Sequence, residues 1–462
     1  MRLLLSGGSH RATLGAMGAV GYFLWSEETA PPDAGATDRW SDVNEVVSVS
    51  GGSILNGTLA AHPSATNGET LGVLADLRRR LAGDGLLPHR TPRRLALTTG
   101  LLTVAAVAVW AVLAAGGVVG PDQLASSPWA LLVGVTVAPV VIGVARRLVA
   151  RYQRDVLEVV TDAARPLDTA PGKRRHIMCA SGLSSGVPYY FVVGGETPFE
   201  PAYGAALSSG YRISDAVAAS TALPGLGQVR APGEFRRELL VDGGVSGGFG
   251  EQVATTQIRR RPSDTWRNDG DWFAVDAVRH LQSDSRLGQL ARSLSTTLLI
   301  SRWLKVSLEA TYVNDLIDLG PGRYARVWSP NELPASRPPS TAVFRDGSAA
   351  SDAAGDDRLA SPERARLGEL QQDVSVMGLF SLNERTVDLG IVVGFVSTLE
   401  VRRGLTVARV TEGLDWLDQR LSTGGRLREI WEGPGTSRLG TPRNDDPRGT
   451  PRDDDPVNAG SD

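Results

Sequence analysis

The stretch that decides the fold is "NEVVSVSGGSILNG", residues 44–57. Its first half is an apolar run rich in β-branched residues, which predicts a buried strand over 45–49. The run then changes to small residues around Ser50, and the following residues predict a helix over 51–61 that ends before Pro63. A strand, a sharp turn that carries a serine and a helix are the context of a nucleophile elbow.

The elbow pattern is G-x-S-x-G, because the turn strains the serine and its neighbours must be small enough for strand and helix to approach each other. Here the pattern reads S-V-S-G-G, so Ser48 stands where the first glycine is expected. The nearest rival serine, Ser53, falls inside the predicted helix. Ser50 is therefore either a nucleophile, with the backbone N–H of Gly51 facing a developing oxyanion, or a small residue at an ordinary turn.

A second strand, glycine turn and helix open the chain. Leu3 to Leu5 predict a short buried strand and residues 11–25 a helix, and the turn between them contains Ser6, Gly7, Gly8 and Ser9. Small residues there let backbone N–H groups converge on one oxygen, so the turn is a candidate oxyanion loop. The alternatives are a plain βα turn or a phosphate-binding loop, and the latter lacks both common glycine-rich spacings. Two such units predict an α/β fold with a parallel sheet.

Two charged residues accompany these turns. Arg11 follows the glycine turn and is equally consistent with contact to an anionic head group and with an ordinary solvated residue. Asp242 ends the apolar strand of "RELLVDGG". A carboxylate there is costly to bury, so it either caps the turn or accepts a hydrogen bond from a catalytic hydroxyl. Taken alone, the pattern favours the cap.

A histidine base has little support from the sequence. None of the five histidines stands in the late loop position of a Ser-Asp-His hydrolase, and His10 is the best placed because it adjoins the glycine turn. The five are His10, His62, His89, His176 and His280.

Composition excludes several classes of function. The net charge is −3, with 48 basic and 51 acidic residues and no basic cluster interleaved with aromatics, so nucleic-acid binding is not expected. The single cysteine, Cys179, cannot form an internal disulfide or a multi-cysteine zinc site, and we expect it to be a buried apolar residue. We expect no metal and no cofactor.

Two charge-free apolar stretches, 95–119 and 124–145, are each long enough to cross a bilayer as a helix. Arginines flank the pair on both outer sides, whereas the turn between the stretches has none. This charge asymmetry predicts a transmembrane hairpin in the inner (plasma) membrane, with the remaining parts of the chain in the cytoplasm. The alternative is a soluble protein in which both stretches are core helices.

The α/β pattern resumes after the hairpin. "RHIMCASGLSSGVPYYFVVGG" predicts a strand, a turn and a strand, and a helix over 215–220 has Ser214 as its candidate N-cap. Residues 329–363 are rich in Pro, Ser, Ala and Asp and predict a flexible connector. The polar repeat "GTPRNDDP" and "GTPRDDDP" predicts a disordered tail.

The ordered set "SGGSHRATLGAMG", "SVSGGS", "CASGLSSGVPYYF", "DAVAASTALPG" and "VDGG" resembles the bacterial patatin-like phospholipase family. The resemblance implies a three-layer α/β/α sheet and a lipid acyl hydrolase that needs no cofactor. It also implies a Ser-Asp dyad, with Ser50 as the nucleophile, Asp242 as the general base and Gly7, Gly8 and Ser9 as the oxyanion loop. To "STALPG", residues 220–225, we assign packing only.

The chain departs from the family pattern at several positions. Ser48 and Ser6 replace glycines, Ala12 follows the basic residue where a glycine is usual, and His10 is an extra residue in the loop. The alternative to an enzyme is therefore an inactive patatin-like scaffold that binds lipid. The expected partners are the bilayer and its lipids; no protein partner is indicated.

The resulting division of the chain has six segments. The catalytic domain is expected in two parts, and the hairpin interrupts it. The segments are 1–92, with the oxyanion loop and elbow; 93–150, the hairpin; 151–328, with the Asp-Gly-Gly turn; 329–363, the connector; 364–433, the C-terminal helical part of the catalytic domain; and 434–462, the tail.

Overall fold

One mixed β-sheet with packed helices forms the described part of the protein, so the expected α/β class is confirmed. The computed structural model describes residues 1–8, 10–29, 38–63, 65–83, 166–167, 172, 174–183, 187–195, 199, 204–207, 209–222, 229–230, 238–245, 272–276, 323–326, 362–375 and 382–433. The strands are β1 (Arg2–Leu5), β2 (Glu45–Val49), β3 (Arg175–Gly182), β4 (Pro188–Val193), β5 (Ala205–Leu207), β6 (Val229–Arg230), β7 (Leu239–Asp242), β8 (Trp272–Asp276) and β9 (Arg323–Arg326). The helices are α1 (His10–Thr29), α2 (Gly52–Ala60), α3 (Asn67–Gly83), α4 (Ile213–Ser220), α5 (Pro362–Ser375), α6 (Glu384–Arg403), α7 (Val407–Leu421) and α8 (Arg426–Glu432).

The strand order is β5-β4-β3-β2-β1-β8-β9, and β7 pairs with both β3 and β6. The pairs β1–β2, β2–β3, β1–β8 and β8–β9 are parallel, as the strand–turn–helix units predict. However, β4 and β7 run antiparallel to β3, so the sheet is mixed and the expected parallel pairing holds among β1, β2, β3, β8 and β9. The connection from β3 to β4 is short, and a short connection joins antiparallel neighbours because a parallel crossover needs a dozen residues or more.

Both faces of the central strands are buried. Leu3 and Leu5 point into one apolar cluster with the helices, while Leu4 points into a second cluster with Val47 and Ile177. Strands that are buried on both faces carry near-continuous apolar runs, as β1 and β2 do. The sheet is therefore the centre of the core.

Helices α1 and α6 cross at very close range. A Cβ atom added to Gly18 would lie 2.2 Å from the carbonyl oxygen of Ile391, and one added to Gly394 would lie 2.2 Å from that of Gly15. Only glycine permits such a backbone approach. Helix α6 thus packs directly on α1.

Some predicted boundaries need correction. Helix α4 begins at Ile213, so Ser214 lies inside it and the predicted N-cap was wrong. The Asp215 carboxylate instead accepts the Arg212 N–H at 3.0 Å, which satisfies an N–H at the helix start. Helix α5 starts at Pro362, so the last two residues of the predicted connector are helical.

The predicted hairpin at 93–150 and tail at 434–462 lie outside the described residues. Of the helices that the structure describes, none has both the length and the apolarity needed to cross a bilayer.

Candidate active site

Strand β3 brings the predicted nucleophile and the predicted base together. Its one edge pairs with β4, so β2 and β7 share the other edge. Strand β2 runs parallel to β3 and ends with Val49 opposite Cys179; β7 runs antiparallel and ends with Asp242 opposite Ala180. Because Cys179 and Ala180 are neighbours, the ends of β2 and β7 meet, and Ser50 follows Val49 at that meeting point.

Ser50 has the backbone conformation of an elbow. Its φ of 51° lies in the left-handed region, which only one other non-glycine residue of the described chain adopts. For a residue with a side chain this conformation costs on the order of 1–2 kcal/mol, so the surroundings must hold it in place. The turn is fixed on its helical side by the Ser53 N–H, which donates to the Ser50 carbonyl at 2.9 Å, and by Thr13 Oγ1, which donates to the Gly51 carbonyl at 2.7 Å.

The second glycine of the elbow is required by close contact. A Cβ atom on Gly52 would lie 2.8 Å from both the Leu5 Cβ and the Ser6 carbonyl oxygen. A larger residue would push helix α2 away from strand β1. This agrees with the physical reason for small residues in the elbow pattern.

The candidate oxyanion loop lies beside the elbow. Register places Leu5 opposite Ser48, and a Cβ atom on Gly7 would lie 3.3 Å from the Ser50 Cβ and 3.9 Å from its Oγ. Gly8 has a φ of 128°, a conformation that side chains rarely adopt. Ser9 lies outside the described residues.

Arg11 and Gly51 complete the predicted site residues. Arg11 lies in the first turn of α1 and is partly buried. Gly51 is buried directly after Ser50 and precedes the first residue of α2. The structure therefore brings Gly7 and Gly51 to the serine and places Arg11 in the first turn of the helix that follows the glycine loop.

Asp242 is buried, and its polar contacts come from neutral groups. Its Oδ1 accepts the Gly244 N–H at 2.7 Å, and its carboxylate also accepts a hydrogen bond from the Ser50 side chain. Burial raises the pKa of Asp242 to about 6, and the two hydrogen bonds oppose that rise only in part. The two roles that the sequence left open, turn cap and partner of a hydroxyl, thus coexist in one side chain.

The glycine after Asp242 is a steric requirement. A Cβ atom on Gly243 would lie 2.3 Å from the Cys179 carbonyl oxygen. Cys179 itself is buried in the second apolar cluster, as the sequence predicts. The Asp-Gly-Gly turn can therefore close against β3 only because its second residue has no side chain.

The histidines of the described chain are not hydrogen bonded to Ser50. Burial lowers the pKa of His10 to about 4 and that of His176 to about 3, so both are neutral near pH 7. His176 Nδ1 pairs with Asn56 Oδ1 at 2.8 Å, and His62 follows the end of α2. His89 and His280 lie outside the described residues.

Sequence reasoning missed one residue of the site. The Ser50 N–H donates to Ser220 Oγ at 3.1 Å, across 170 positions of sequence, so the expectation that 220–225 only packs was too narrow. The pattern held no signal for this contact, because a serine near a helix C-terminus is unremarkable on its own. The described residues contain no cluster of His, Cys, Asp and Glu that could hold a metal ion.

No protein-family model matches the chain, and no curated protein has significant sequence similarity to it. The site is thus defined by its own geometry. It consists of a serine in a left-handed strand-to-helix turn, a buried carboxylate that accepts its hydrogen bond, and a glycine loop against its side chain. An arrangement of this kind can activate a serine hydroxyl for nucleophilic attack.

Proposed function

We propose that the protein is a membrane-anchored serine hydrolase of lipid esters, of the patatin-like phospholipase or lysophospholipase kind. The observation that carries the proposal is the pairing of Ser50, held at a positive φ, with the buried carboxylate of Asp242. A nucleophile, its base and a nearby set of backbone donors are the minimum for acyl transfer.

In the proposed reaction, Ser50 Oγ attacks the ester carbonyl carbon while Asp242 accepts the hydroxyl proton. The N–H groups of Gly7, Gly8 and Gly51 stabilise the oxyanion of the tetrahedral intermediate. Collapse of this intermediate breaks the ester bond, and the leaving alcohol takes the proton from Asp242. Water then attacks the acyl-enzyme while Asp242 takes one of its protons, and Asp242 returns that proton to Ser50 Oγ as the acyl–oxygen bond breaks and the fatty acid is released.

The environment of Asp242 suits a base. An ordinary aspartate is a poor proton acceptor at neutral pH, whereas burial raises the pKa of Asp242 to about 6. A base works best when its pKa lies near the operating pH and it is still ionised there. The proposal therefore implies hydrolysis that rises with pH through about 6.

The apolar stretches at 95–119 and 124–145 support a lipid substrate. A hairpin there would hold the catalytic domain against the cytoplasmic face of the inner (plasma) membrane, close to its acyl chains. Lipid degradation is accordingly the proposed role. Extraction of membranes with carbonate tests the anchor, since a soluble esterase would be released.

Covalent labelling tests the enzyme. Purified protein is treated with a fluorophosphonate, the modified peptide is identified by mass spectrometry, and fatty-acid release from phospholipid vesicles is followed in parallel. We expect an adduct on Ser50 and fatty-acid release, both lost in Ser50→Ala and both kept in Ser214→Ala. A folded wild-type protein that takes up no probe and releases no fatty acid would instead be the inactive scaffold.

A further inference from the structure

A chain of buried polar side chains lies directly behind the elbow. Ser220 Oγ lies 2.7 Å from Ser53 Oγ, which lies 2.9 Å from Ser48 Oγ. Asn56 Nδ2 donates to Ser48 Oγ at 2.8 Å, and Asn56 Oδ1 lies 2.8 Å from His176 Nδ1. The five side chains are all buried and link strands β2 and β3 to helices α2 and α4.

One arrangement of donors satisfies every hydroxyl of this network. The Ser50 N–H can only donate, so Ser220 Oγ accepts it and is free to donate its own proton to Ser53. Ser53 then donates to Ser48, and Ser48 donates to the Ile177 carbonyl at 3.3 Å. Asn56 donates to Ser48 as well. Each of the three serine hydroxyl groups then donates one hydrogen bond and accepts at least one. A fully satisfied buried network is rigid.

This network of buried side chains explains why the elbow has a serine where the G-x-S-x-G pattern has its first glycine. A glycine in place of Ser48 would leave Ser53 without its acceptor and would remove a partner of Asn56. Buried polar groups without partners cost about 1–3 kcal/mol each. Ser48 is therefore a member of the network and not only a tolerated small residue.

The same short segment also holds Asp242. The Asp242 N–H donates to the Ala222 carbonyl at 2.6 Å, two residues after Ser220. The C-terminal end of helix α4 thus binds the backbone of the nucleophile through Ser220 and the backbone of the base through Ala222. These contacts link Ser50 to Asp242 a second time, in addition to the shared edge of β3.

We infer that Ser220 is a positioning residue, whose side chain holds Ser50 in its left-handed conformation and, with the Ala222 carbonyl, keeps the Ser50 hydroxyl against the Asp242 carboxylate. This inference rests on the proposed function for its catalytic consequence. Its structural content, the hydrogen bond between the Ser50 N–H and Ser220, can be tested without activity.

Amide hydrogen exchange measured at single-residue resolution tests that bond. In Ser220→Ala the Ser50 N–H loses its acceptor, and we expect its exchange to become about tenfold faster or more, the factor that corresponds to one net hydrogen bond. The matched control is Ser214→Ala, which removes a buried hydroxyl from the same helix away from the elbow. Equal protection of Ser50 in wild type and Ser220→Ala would overturn the inference.

Kinetics test the catalytic consequence. In Ser220→Ala we expect kcat for ester hydrolysis to fall about 10- to 100-fold with KM within about twofold, because misplacement of a reacting group by an ångström has effects of this size. The acid limb of the pH profile should move to higher pH, since the Ser50 hydrogen bond lowers the pKa of Asp242. Ser220→Cys, which keeps a weak acceptor, should lie between the two.

The two proposals fail in different ways. If the wild-type protein hydrolyses no ester, the proposed function is wrong, while the exchange of the Ser50 amide still decides the role of Ser220. If the wild type is active and Ser220→Ala loses thermal stability but keeps its kcat and its acid limb, Ser220 is structural and the positioning role is wrong.

Discussion

Two buried aspartates of this protein have opposite surroundings. The side chain of Asp388 in α6 is fully buried and faces two arginines: Arg78 binds it in a bidentate manner at 2.6 and 2.9 Å, and Arg426 approaches to 3.3 Å. Asp242 is also buried, but within the described part of the chain it forms no ion pair, and its partners are the Gly244 N–H and the Ser50 hydroxyl. One carboxylate is paired with arginines, and the other is left able to accept a proton.

The difference follows from what each carboxylate connects. Asp388 joins α6 to Arg78 in α3 and to Arg426 in α8, so it ties the chain before the predicted hairpin to its C-terminal helices. Asp242 joins two strand ends through neutral groups. The buried ion pair thus lies where three helices meet, whereas the carboxylate of the proposed active site has neutral partners.

The largest stability effect is expected at Asp388. Asp388→Asn leaves Arg78 buried without its counter-charge, and breaking a buried pair from one side costs about 3–5 kcal/mol. Urea unfolding of purified protein measures the loss. The matched control is Asp415→Asn, whose pair with Arg428 is exposed and should change stability by no more than about 1 kcal/mol. Equal effects of the two substitutions would show that the buried Asp388 pair stabilises the fold no more than an exposed pair does.

Asp242→Asn is expected to increase the stability of the fold, by an amount that depends on pH. The pKa of folded Asp242 is raised from 3.8 to about 6, so the folded state binds the proton more tightly than the unfolded state does. The resulting stabilisation is present below pH 4 and is lost as the pH rises through 6. Asn mimics the protonated form, so Asp242→Asn should match wild type at pH 4 and exceed it at pH 8 by up to about 3 kcal/mol.

Thermal melts of wild type and Asp242→Asn between pH 4 and pH 8 check this expectation. A variant that is less stable than wild type at pH 8 would mean that the Asp242 carboxylate stabilises the fold as an anion. The contrast with Asp388 would then disappear.

A smaller effect is expected at the glycine where β1 meets α2. Gly52→Ala would place a Cβ atom 2.8 Å from the Ser6 carbonyl oxygen, and overpacking of this kind costs about 1–3 kcal/mol. The matched control, Gly72→Ala, lies in the exposed face of α3 with open space around it and should stabilise the helix by about 0.5–1 kcal/mol. If Gly52→Ala raises the melting temperature as Gly72→Ala does, the elbow tolerates a side chain at this position.

Local patterns in the sequence predicted the parts of the site that are local. The elbow at Ser50 and the turn after Asp242 each consist of an apolar strand followed by glycines, so a few adjacent residues define them. Strand pairing was harder: the two strands of "RHIMCASGLSSGVPYYFVVGG" were predicted, but the shared edge of β3 that brings Ser50 to Asp242 was not, because register depends on the whole sheet.

The contacts that sequence reasoning missed join residues far apart along the chain. Ser220 bonds to the Ser50 backbone across 170 positions, and Asp388 binds Arg78 across 310. A single serine or aspartate in a helix carries no sign of such a partner. These contacts depend on how α4 and α6 pack, which no local pattern specifies.

The choice of base for Ser50 is the central claim, and one comparison tests it most directly. Hydrolysis of a soluble ester is measured for Ser50→Ala, Asp242→Asn and His10→Gln, with each variant shown to be folded by circular dichroism. We expect Ser50→Ala and Asp242→Asn each to lower kcat by about three orders of magnitude or more, as catalytic groups that act as a unit do, and His10→Gln to be much milder. A His10→Gln protein as inactive as Ser50→Ala, together with substantial activity in Asp242→Asn, would contradict the Ser-Asp dyad.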